Sequence, residues 1–291
     1  MTYIGVGNEQ WGEQYFERYA VFEKALQDRY PEIKIVSTSG PLSFGPFIEY
    51  AHDRLKDFTP ALVDEHYYAT TDWFFDNTRR YDDYDRDAYK IFVGEYAAAS
   101  HEMASPENKN TWGCALAEAA YMTGLERNAD VVYMASYAPL LAHVDAWQWS
   151  PDLIWFDNLS TYRTPSYYVP QLYSANKGSH LLQLKKEGNP MNGEEGLFGT
   201  AAWDDQTNEL ILKLVNRNSE AKRISVHLQS TGTFDENAEI IVLSQDDLDA
   251  INTIEQPDYL KPHKKAIRLN GRELEAELDP YSLSVIKIRK E

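Results

Sequence analysis

The sequence predicts an α/β region followed by an all-β region. In the first part, short apolar runs that favour strands alternate with longer segments of helical periodicity, and the strand runs show no clean polar–apolar alternation. That combination is typical of a parallel sheet covered on both faces. In the last part, short strands follow one another with turn residues between them, which indicates an antiparallel β-sandwich.

The α/β region contains five predicted strands and at least four predicted helices. The strands are residues 3–7, 33–37, 62–67, 91–94 and 131–135, and the helices are 15–29, 47–57, 111–128 and a segment after Pro165. The first helix ends before Pro31, because proline cannot continue a helix. Thr111 is a suitable N-cap for the third helix. These units amount to about half of an eight-fold barrel or to a complete doubly wound sheet.

The pattern changes near residue 177, at the sequence Asn-Lys-Gly. Residues 210–216 and 223–228 are predicted as antiparallel strands around a turn at 217–222, and 204–208 as a turn between two more strands. Further strands are predicted at 240–243, 266–269, 274–278 and 283–288. We therefore predict two domains, residues 1–176 and residues 177–291.

Composition and charge exclude several classes of partner. The chain has 291 residues, of which 43% are hydrophobic and 25% charged, with a net charge of -18. So negative a protein is not expected to bind nucleic acid, and no apolar run is long enough to span a membrane. One cysteine, Cys114, cannot form an intrachain disulfide. No export leader precedes the first strand, although an exported or periplasmic location of the natural protein is compatible with the sequence.

Two glutamates end predicted strands in the same way. Glu9 follows the run VGN, and Glu95 follows FVG, while His66 comes at the end of the third predicted strand. Because chemistry in a barrel sits at the carboxyl ends of the strands, these side chains are expected to meet at one rim. Paired carboxylates there are what the cleavage of a glycosidic bond requires. The alternative for either glutamate alone is a helix cap or a solvated loop residue.

The motifs around these residues resemble glycoside hydrolase family 51, the α-L-arabinofuranosidases. The matching stretches, in the family's order, are GNEQWG (7–12), DEHYY (64–68), VGEYA (93–97), MASYAPLLAH (134–143), PDLIWFDN (151–158), TPSYYV (164–169) and PYSLSVIKI (280–288). The resemblance implies that residues 1–176 are the C-terminal part of a (β/α)8 TIM barrel, strands 4–8. Residues 177–291 would then be a jelly-roll-like β-sandwich.

The resemblance also implies a role for each site residue. Glu9 would be the acid/base and Glu95 the nucleophile of a retaining exo-glycosidase that removes terminal α-L-arabinofuranosyl residues from arabinan or arabinoxylan. Asn8 would bond the sugar 2-hydroxyl, Tyr68 would position the nucleophile, and His66 would support the site. The expected partner is therefore an arabinose-containing oligo- or polysaccharide.

Aromatic residues are further candidates for sugar binding, because their faces stack on sugar rings. Trp11, Trp147 and Trp149 are the predicted substrate-binding tryptophans, with packing in the core or at the rim as the alternative. No metal and no cofactor are predicted. The acidic segment 83–87 imitates the start of a calcium loop, but the glycine and glutamate that such a loop needs later are absent.

In the family, three barrel strands precede the strand that carries the acid/base, and this chain has none of them. The chain alone is therefore expected to be inactive, and the missing barrel half or a second copy of the chain is an expected partner. Two other functions remain open: a related glycosidase acting on xylosides or glucans, and a non-catalytic carbohydrate-binding protein.

Overall fold

The computed structural model of the chain describes residues 1–42, 44–230 and 232–291. The backbone divides into two compact units. The first comprises Met1–Tyr68, Tyr81–Ala97 and Asn128–Ala138, and the second comprises Ala69–Arg80, Ala98–Arg127 and Pro139–Glu291. Among the described residues, no helix has the length and apolar character that crossing a bilayer requires. The predicted domain boundary near residue 177 stays a prediction.

The first unit is built on a parallel sheet. In the described part of the chain this sheet has five strands, which lie side by side in sequence order. They are β1 (Tyr3–Val6), β2 (Lys34–Thr38), β3 (Leu62–Thr70), β4 (Lys90–Ala99) and β5 (Val132–Ala135). A doubly wound sheet reverses its strand order at a switch point, whereas this order rises without reversal, as in a barrel. The carboxyl ends of all five strands lie along one edge.

Two helices of the first unit follow β1 and β2. They are α1 (Glu13–Arg29) and α2 (Pro46–Leu55). Helix α1 begins after Gly12 and ends at Arg29. The next residue, Tyr30, caps it by donating its N–H to the Leu26 carbonyl at 2.7 Å, and the proline that predicts the end of the helix follows. Its buried face carries Tyr15, Phe16 and Tyr19. Helix α2 has proline in its first turn, where no backbone N–H is needed.

In its described residues, the second unit contains three α-helices, a short 3-10 helix (Glu194–Gly196) and a small sheet. The α-helices are α3 (Thr71–Asp76), α4 (Trp112–Arg127) and α5 (Pro165–Ala175), and the sheet consists of β6 (Leu141–His143), β7 (Ile154–Phe156) and β8 (Thr161–Arg163). Helix α4 is buried on nearly every side, because alanines and other small residues let its neighbours approach closely. The Trp112 indole N–H donates to the Tyr281 carbonyl at 2.9 Å and ties this helix to the β-region.

The rest of the second unit is antiparallel. Its strands are β9 (His180–Leu182), β10 (Lys185–Lys186), β11 (Asn189–Pro190), β12 (Leu197–Asp204), β13 (Glu209–Asn216), β14 (Lys222–His227), β15 (Asn237–Ser244), β16 (His263–Asn270), β17 (Glu273–Leu278) and β18 (Ser282–Arg289). Eight of them form one sheet in the order β14-β17-β16-β15-β18-β13-β12-β9. Leucine and isoleucine side chains from β12, β13, β15 and β18 pack in its core.

The predicted fold class is confirmed: a parallel, barrel-type β/α region precedes an antiparallel β-region. One pairing prediction is wrong. Strands β13 and β14 were predicted to pair around residues 217–222, but β14 pairs with β17, and β13 lies between β12 and β18. The pattern of apolar residues shows that a strand exists, but it does not identify the neighbour. Helix α3 and the small β6–β8 sheet were not predicted.

Candidate active site

Glu9 stands just past the carboxyl end of β1, on a turn with left-handed backbone. Gly7 has φ +90° and Glu9 has φ +61°. A Cβ at Gly7 would lie 2.6 Å from Gln10 Oε1 and 2.9 Å from the Tyr15 ring, so glycine is needed there. The Glu9 backbone N–H donates to Thr38 Oγ1 at 3.1 Å and fastens the turn to the tip of β2. Holding glutamate at positive φ costs roughly 1–3 kcal/mol, a strain found mostly at functional sites.

Glu95 lies on β4 and accepts a hydrogen bond from a neighbouring strand. The Tyr68 hydroxyl, on β3, donates to Glu95 Oε2 at 2.6 Å. A short hydrogen bond of this kind fixes the orientation of the carboxylate. The Glu95 side chain remains 28% exposed, so solvent or a ligand reaches it.

His66 joins the two glutamates. Its side chain is 1% exposed, and its Nδ1 lies 2.9 Å from Glu9 Oε1 and 3.6 Å from Glu95 Oε2. Burial disfavours the imidazolium, but the hydrogen bonds and charges of Asp64, Glu9 and Glu95 outweigh it and raise the pKa of His66 to about 9. At neutral pH a buried positive charge therefore faces both carboxylates.

Asp64 is a site residue that the sequence analysis missed. Its Oδ2 lies 3.2 Å from His66 Nε2, on the side of the ring opposite the glutamates. The signal was present in the motif DEHYY, because alternate residues of a strand share one face. Asp64 therefore shares a face with His66 and Tyr68, while the intervening Glu65 and Tyr67 point the other way.

The cluster also has the spacing of a metal site, but its histidine is protonated at neutral pH. His66 Nδ1 and one oxygen each of Glu9 and Glu95 lie within 4.8 Å of one another. A metal ligand must offer a lone pair, so a metal ion here would have to displace the proton that the imidazolium form of His66 holds at Nδ1. The arrangement suits two carboxylates held around one cation better than a metal ion. The absence of a metal and of a cofactor stays a prediction.

Two other predicted residues lie on the same loop as Glu9. Asn8 is exposed, and its backbone N–H contacts the Gln10 side chain. Trp11 is 58% exposed and meets Phe47 edge-on, with ring centroids 5.7 Å apart. More than half of the surface of Trp11 is therefore accessible, as a sugar-stacking residue requires.

Trp147 and Trp149 belong to the second unit. Trp147 is 39% exposed and borders a cavity of about 190 Å³, which Trp155, Tyr162 and Lys109 also line. The rings of Trp147 and Trp155 meet edge-on at 6.1 Å. Trp149 is half-buried and does not border this cavity. The structure thus brings together Glu9, His66, Tyr68 and Glu95, and it places Trp147 beside Trp155.

The fold and the site define a class. A barrel-type parallel sheet that presents two carboxylates at its carboxyl edge, followed by an antiparallel β-region, is the architecture of barrel glycoside hydrolases. Sequence comparisons agree. The family model for the α-L-arabinofuranosidase C-terminal domain matches residues 94–282, and that for the α-L-arabinofuranosidase 1 domain matches residues 1–86. The chain belongs to the α-L-arabinofuranosidases of glycoside hydrolase family 51.

Individual proteins similar to this chain are also named α-L-arabinofuranosidases. α-L-Arabinofuranosidase 1 of Arabidopsis thaliana is 30% identical over 300 residues, which cover 100% of this chain and 41% of the relative. An extracellular exo-α-L-arabinofuranosidase of Streptomyces chartreusis is 41% identical over 206 residues, 70% of this chain and 24% of the relative. A solved arabinose-bound family 51 α-L-arabinofuranosidase is 28% identical with a TM-score of 0.86, covering 100% of this chain and 46% of that one. The chain thus spans less than half the length of these relatives.

Proposed function

We propose that the chain supplies both catalytic carboxylates of a retaining exo-α-L-arabinofuranosidase. Its substrates would be arabinan and arabinoxylan, from which it releases terminal, non-reducing α-L-arabinofuranosyl residues. The main support is the spacing of the carboxylates at one sheet edge, where an oxygen of Glu9 and an oxygen of Glu95 lie within 4.8 Å. Retaining enzymes keep the carboxyl groups about 5–5.5 Å apart, whereas inverting enzymes need about 6.5–9.5 Å to admit a water.

The proposed reaction begins with Glu95 as the nucleophile. One of its oxygens attacks the anomeric carbon while the bond from that carbon to the leaving oxygen breaks. Glu9 gives its proton to the leaving oxygen, so the aglycone departs as an alcohol. The products of this step are an arabinosyl ester on Glu95 and an ionised Glu9.

The second step hydrolyses the ester. Glu9 takes a proton from a water, whose oxygen attacks the anomeric carbon as the ester bond to Glu95 breaks. Arabinose leaves with its original anomeric configuration, Glu95 is again a carboxylate and Glu9 again holds a proton. Two inversions at one carbon give net retention.

The remaining site residues would bind the sugar or hold the carboxylates. Tyr68 would keep Glu95 oriented for attack through the 2.6 Å hydrogen bond. Asn8, exposed beside Glu9, would bond the 2-hydroxyl of the arabinose. Trp11, Trp147 and Trp149 would supply faces for sugar rings, and the exposure of Trp11 and Trp147 supports this for those two. The name of the Streptomyces relative supports exo action.

We also propose that this chain works with further barrel strands. The described parallel sheet has five strands, with β1 and β5 at its edges, whereas closing a barrel of this class takes eight. The added strands would come from a longer form of the same polypeptide, from a separate polypeptide or from a second copy of the chain.

A panel of aryl glycosides tests the proposed substrate. We would assay the 291-residue chain and a chimera in which the part of the Arabidopsis relative that precedes its matched region is joined to Met1. Turnover of aryl α-L-arabinofuranoside, with little on xyloside or glucoside, is expected of the chimera. Preference for xyloside or glucoside would favour a different sugar. Binding without turnover by a folded chimera would contradict the proposal and favour a non-catalytic carbohydrate-binding role.

A further inference from the structure

Asp64 makes a contact that the proposed reaction does not yet use. Its Oδ2 lies 3.2 Å from His66 Nε2, while its Oδ1 is buried and has no hydrogen-bond partner among the described residues. Leaving a buried carboxylate oxygen without a hydrogen bond is costly, so a structural role alone explains this side chain poorly. What the carboxylate contacts closely is a histidine ring.

The neighbouring strand leaves space for Asp64. A Cβ at Gly94 would overlap the Asp64 carboxylate, so the glycine before Glu95 lets this carboxylate sit against β4. Asp64 is therefore confined between His66 and the residue that precedes Glu95. The glycine of the VGE motif thus has a physical reason beyond local backbone freedom.

The hydrogen bonds of His66 require a particular protonation state. Its Nε2 faces the Asp64 carboxylate, and its Nδ1 faces Glu9 at 2.9 Å. An ionised carboxylate only accepts hydrogen bonds, so Nε2 must donate to an ionised Asp64, and Nδ1 must donate toward whichever of Glu9 and Glu95 is ionised. A ring that donates at both nitrogens is an imidazolium.

We propose that Asp64 is a positioning residue that holds His66 as an imidazolium shared by Glu9 and Glu95. This rests on the proposed function. Asp64 anchors Nε2, which directs the Nδ1–H toward the two glutamates, at 2.9 and 3.6 Å. Because Nδ1 reaches both, the same charge serves whichever glutamate is ionised. That is Glu95 before the attack and Glu9 while the ester exists.

The charged groups around His66 are consistent with this account. Asp64 lies on the same strand, Glu9 follows β1 and Glu95 lies on β4, so all three carboxylates favour the cation. Tyr15 of α1 is a further titratable group on which the charge of Asp64 acts. Burial raises the pKa of Tyr15, and the charge of Asp64 raises it further, so Tyr15 stays neutral.

The test is a pH titration of His66 in the full chain. The ring nitrogens are observed by ¹⁵N NMR, and the signals of His66 are identified by their loss in His66→Gln. In the unmodified chain, both nitrogens should be protonated at pH 7.5. In Asp64→Asn, loss of one adjacent charge should lower the measured pKa of His66 by about 1–3 pH units. The matched control is Asp205→Asn, which removes the carboxylate 2.7 Å from His180 and should leave His66 unchanged.

Activity adds a second readout. In the chimera, Asp64→Asn should lower kcat more than it changes KM, and the alkaline limb of the kcat profile should move to lower pH as the imidazolium is lost earlier. An unchanged His66 titration in Asp64→Asn would overturn the proposal. A neutral His66 ring at pH 7.5 in the unmodified chain would overturn it even if the variant fails to fold. Because the titration needs no turnover, its result is separate from the fate of the proposed function.

Discussion

At the scale of single residues, the backbone conformation of Glu9 matters for the proposed chemistry as well as its side chain. Glu9 is held at a positive φ by a turn that Gly7 makes possible and Thr38 fastens. Packing in the core does not fix the position of Glu9, because its side chain is 37% exposed. We infer that this turn is maintained to aim the carboxylate.

Replacing Glu95 by alanine should abolish turnover in the chimera, because no nucleophile remains. Azide added to Glu95→Ala should restore part of the rate by entering the vacated space, and the arabinosyl azide should have inverted anomeric configuration. The measurement is proton NMR of that product. A rescued product of retained configuration would mark Glu95 as the acid/base instead.

Replacing Glu9 by alanine should have an effect that depends on the leaving group. An acidic leaving group such as dinitrophenol departs without a proton, so Glu9→Ala should keep much of the rate of its release. Hydrolysis of natural arabinosides should fall by about 10²–10⁴-fold, the usual contribution of general acid catalysis. Equal losses on both substrates, measured as kcat/KM, would argue against proton donation by Glu9.

The sequence predicted which residues lie at this site better than it predicted the contacts between their side chains. Glu9, Glu95, His66 and Tyr68 could be predicted because each ends or follows an apolar strand run. The alternation in DEHYY places Asp64 on the same strand face as His66 and Tyr68, but its contact across the imidazole and the space left for it by a glycine of the next strand could not be predicted. Contacts of that kind depend on tertiary packing, which strand patterns do not encode.

At the scale of the element, helix α4 contains a buried acid. Glu118 is fully buried, and its Oε1 accepts a hydrogen bond from the Ala98 N–H at 2.9 Å. Burial raises the pKa of Glu118 to about 8, against smaller lowering effects from the Ala98 N–H and the Ser166 hydroxyl. The folded state therefore prefers the protonated acid over a wide pH range.

This preference predicts a pH-dependent stability. The folded pKa lies above the unfolded value, so the stabilisation is complete below about pH 4.5 and is lost as the pH rises toward 8. Glu118→Gln keeps the acceptor for Ala98 and cannot ionise, so its free energy of unfolding should fall less between pH 5 and pH 8. Urea unfolding of both proteins measures this, with the exposed Glu102→Gln as control. Parallel pH curves for Glu118→Gln and the unmodified chain would contradict it.

Elements differed in how well their patterns predicted them. Helix α4 was predicted within one residue at each end, and the turn between β12 and β13 was also correct. Helix α3 was missed because six residues are too few to show a helical period. The partner of β14 was assigned wrongly because sequence adjacency favours hairpins, whereas this sheet joins β14 to β17.

At the scale of the whole molecule, the open parallel sheet has a consequence for activity. In the described part of the chain, β1 and β5 pair on one side only, and such free strand edges favour association with other strands. We expect the 291-residue chain alone to associate and to show little arabinofuranosidase activity. The chimera, or the chain mixed with a polypeptide that supplies the added strands, should be active. Light scattering and rates on aryl arabinofuranoside would measure both, and full activity from a monomeric chain would refute the need for further strands.

The measurement that tests the central claim most directly is the configuration of the first sugar released. The chimera would hydrolyse an aryl α-L-arabinofuranoside inside the NMR tube, and anomeric protons would be recorded before mutarotation. Two carboxylates with oxygens within 4.8 Å predict that α-L-arabinofuranose appears first. First appearance of the β anomer would mean that water attacks directly, and it would contradict the assignment of Glu95 as nucleophile and Glu9 as acid/base.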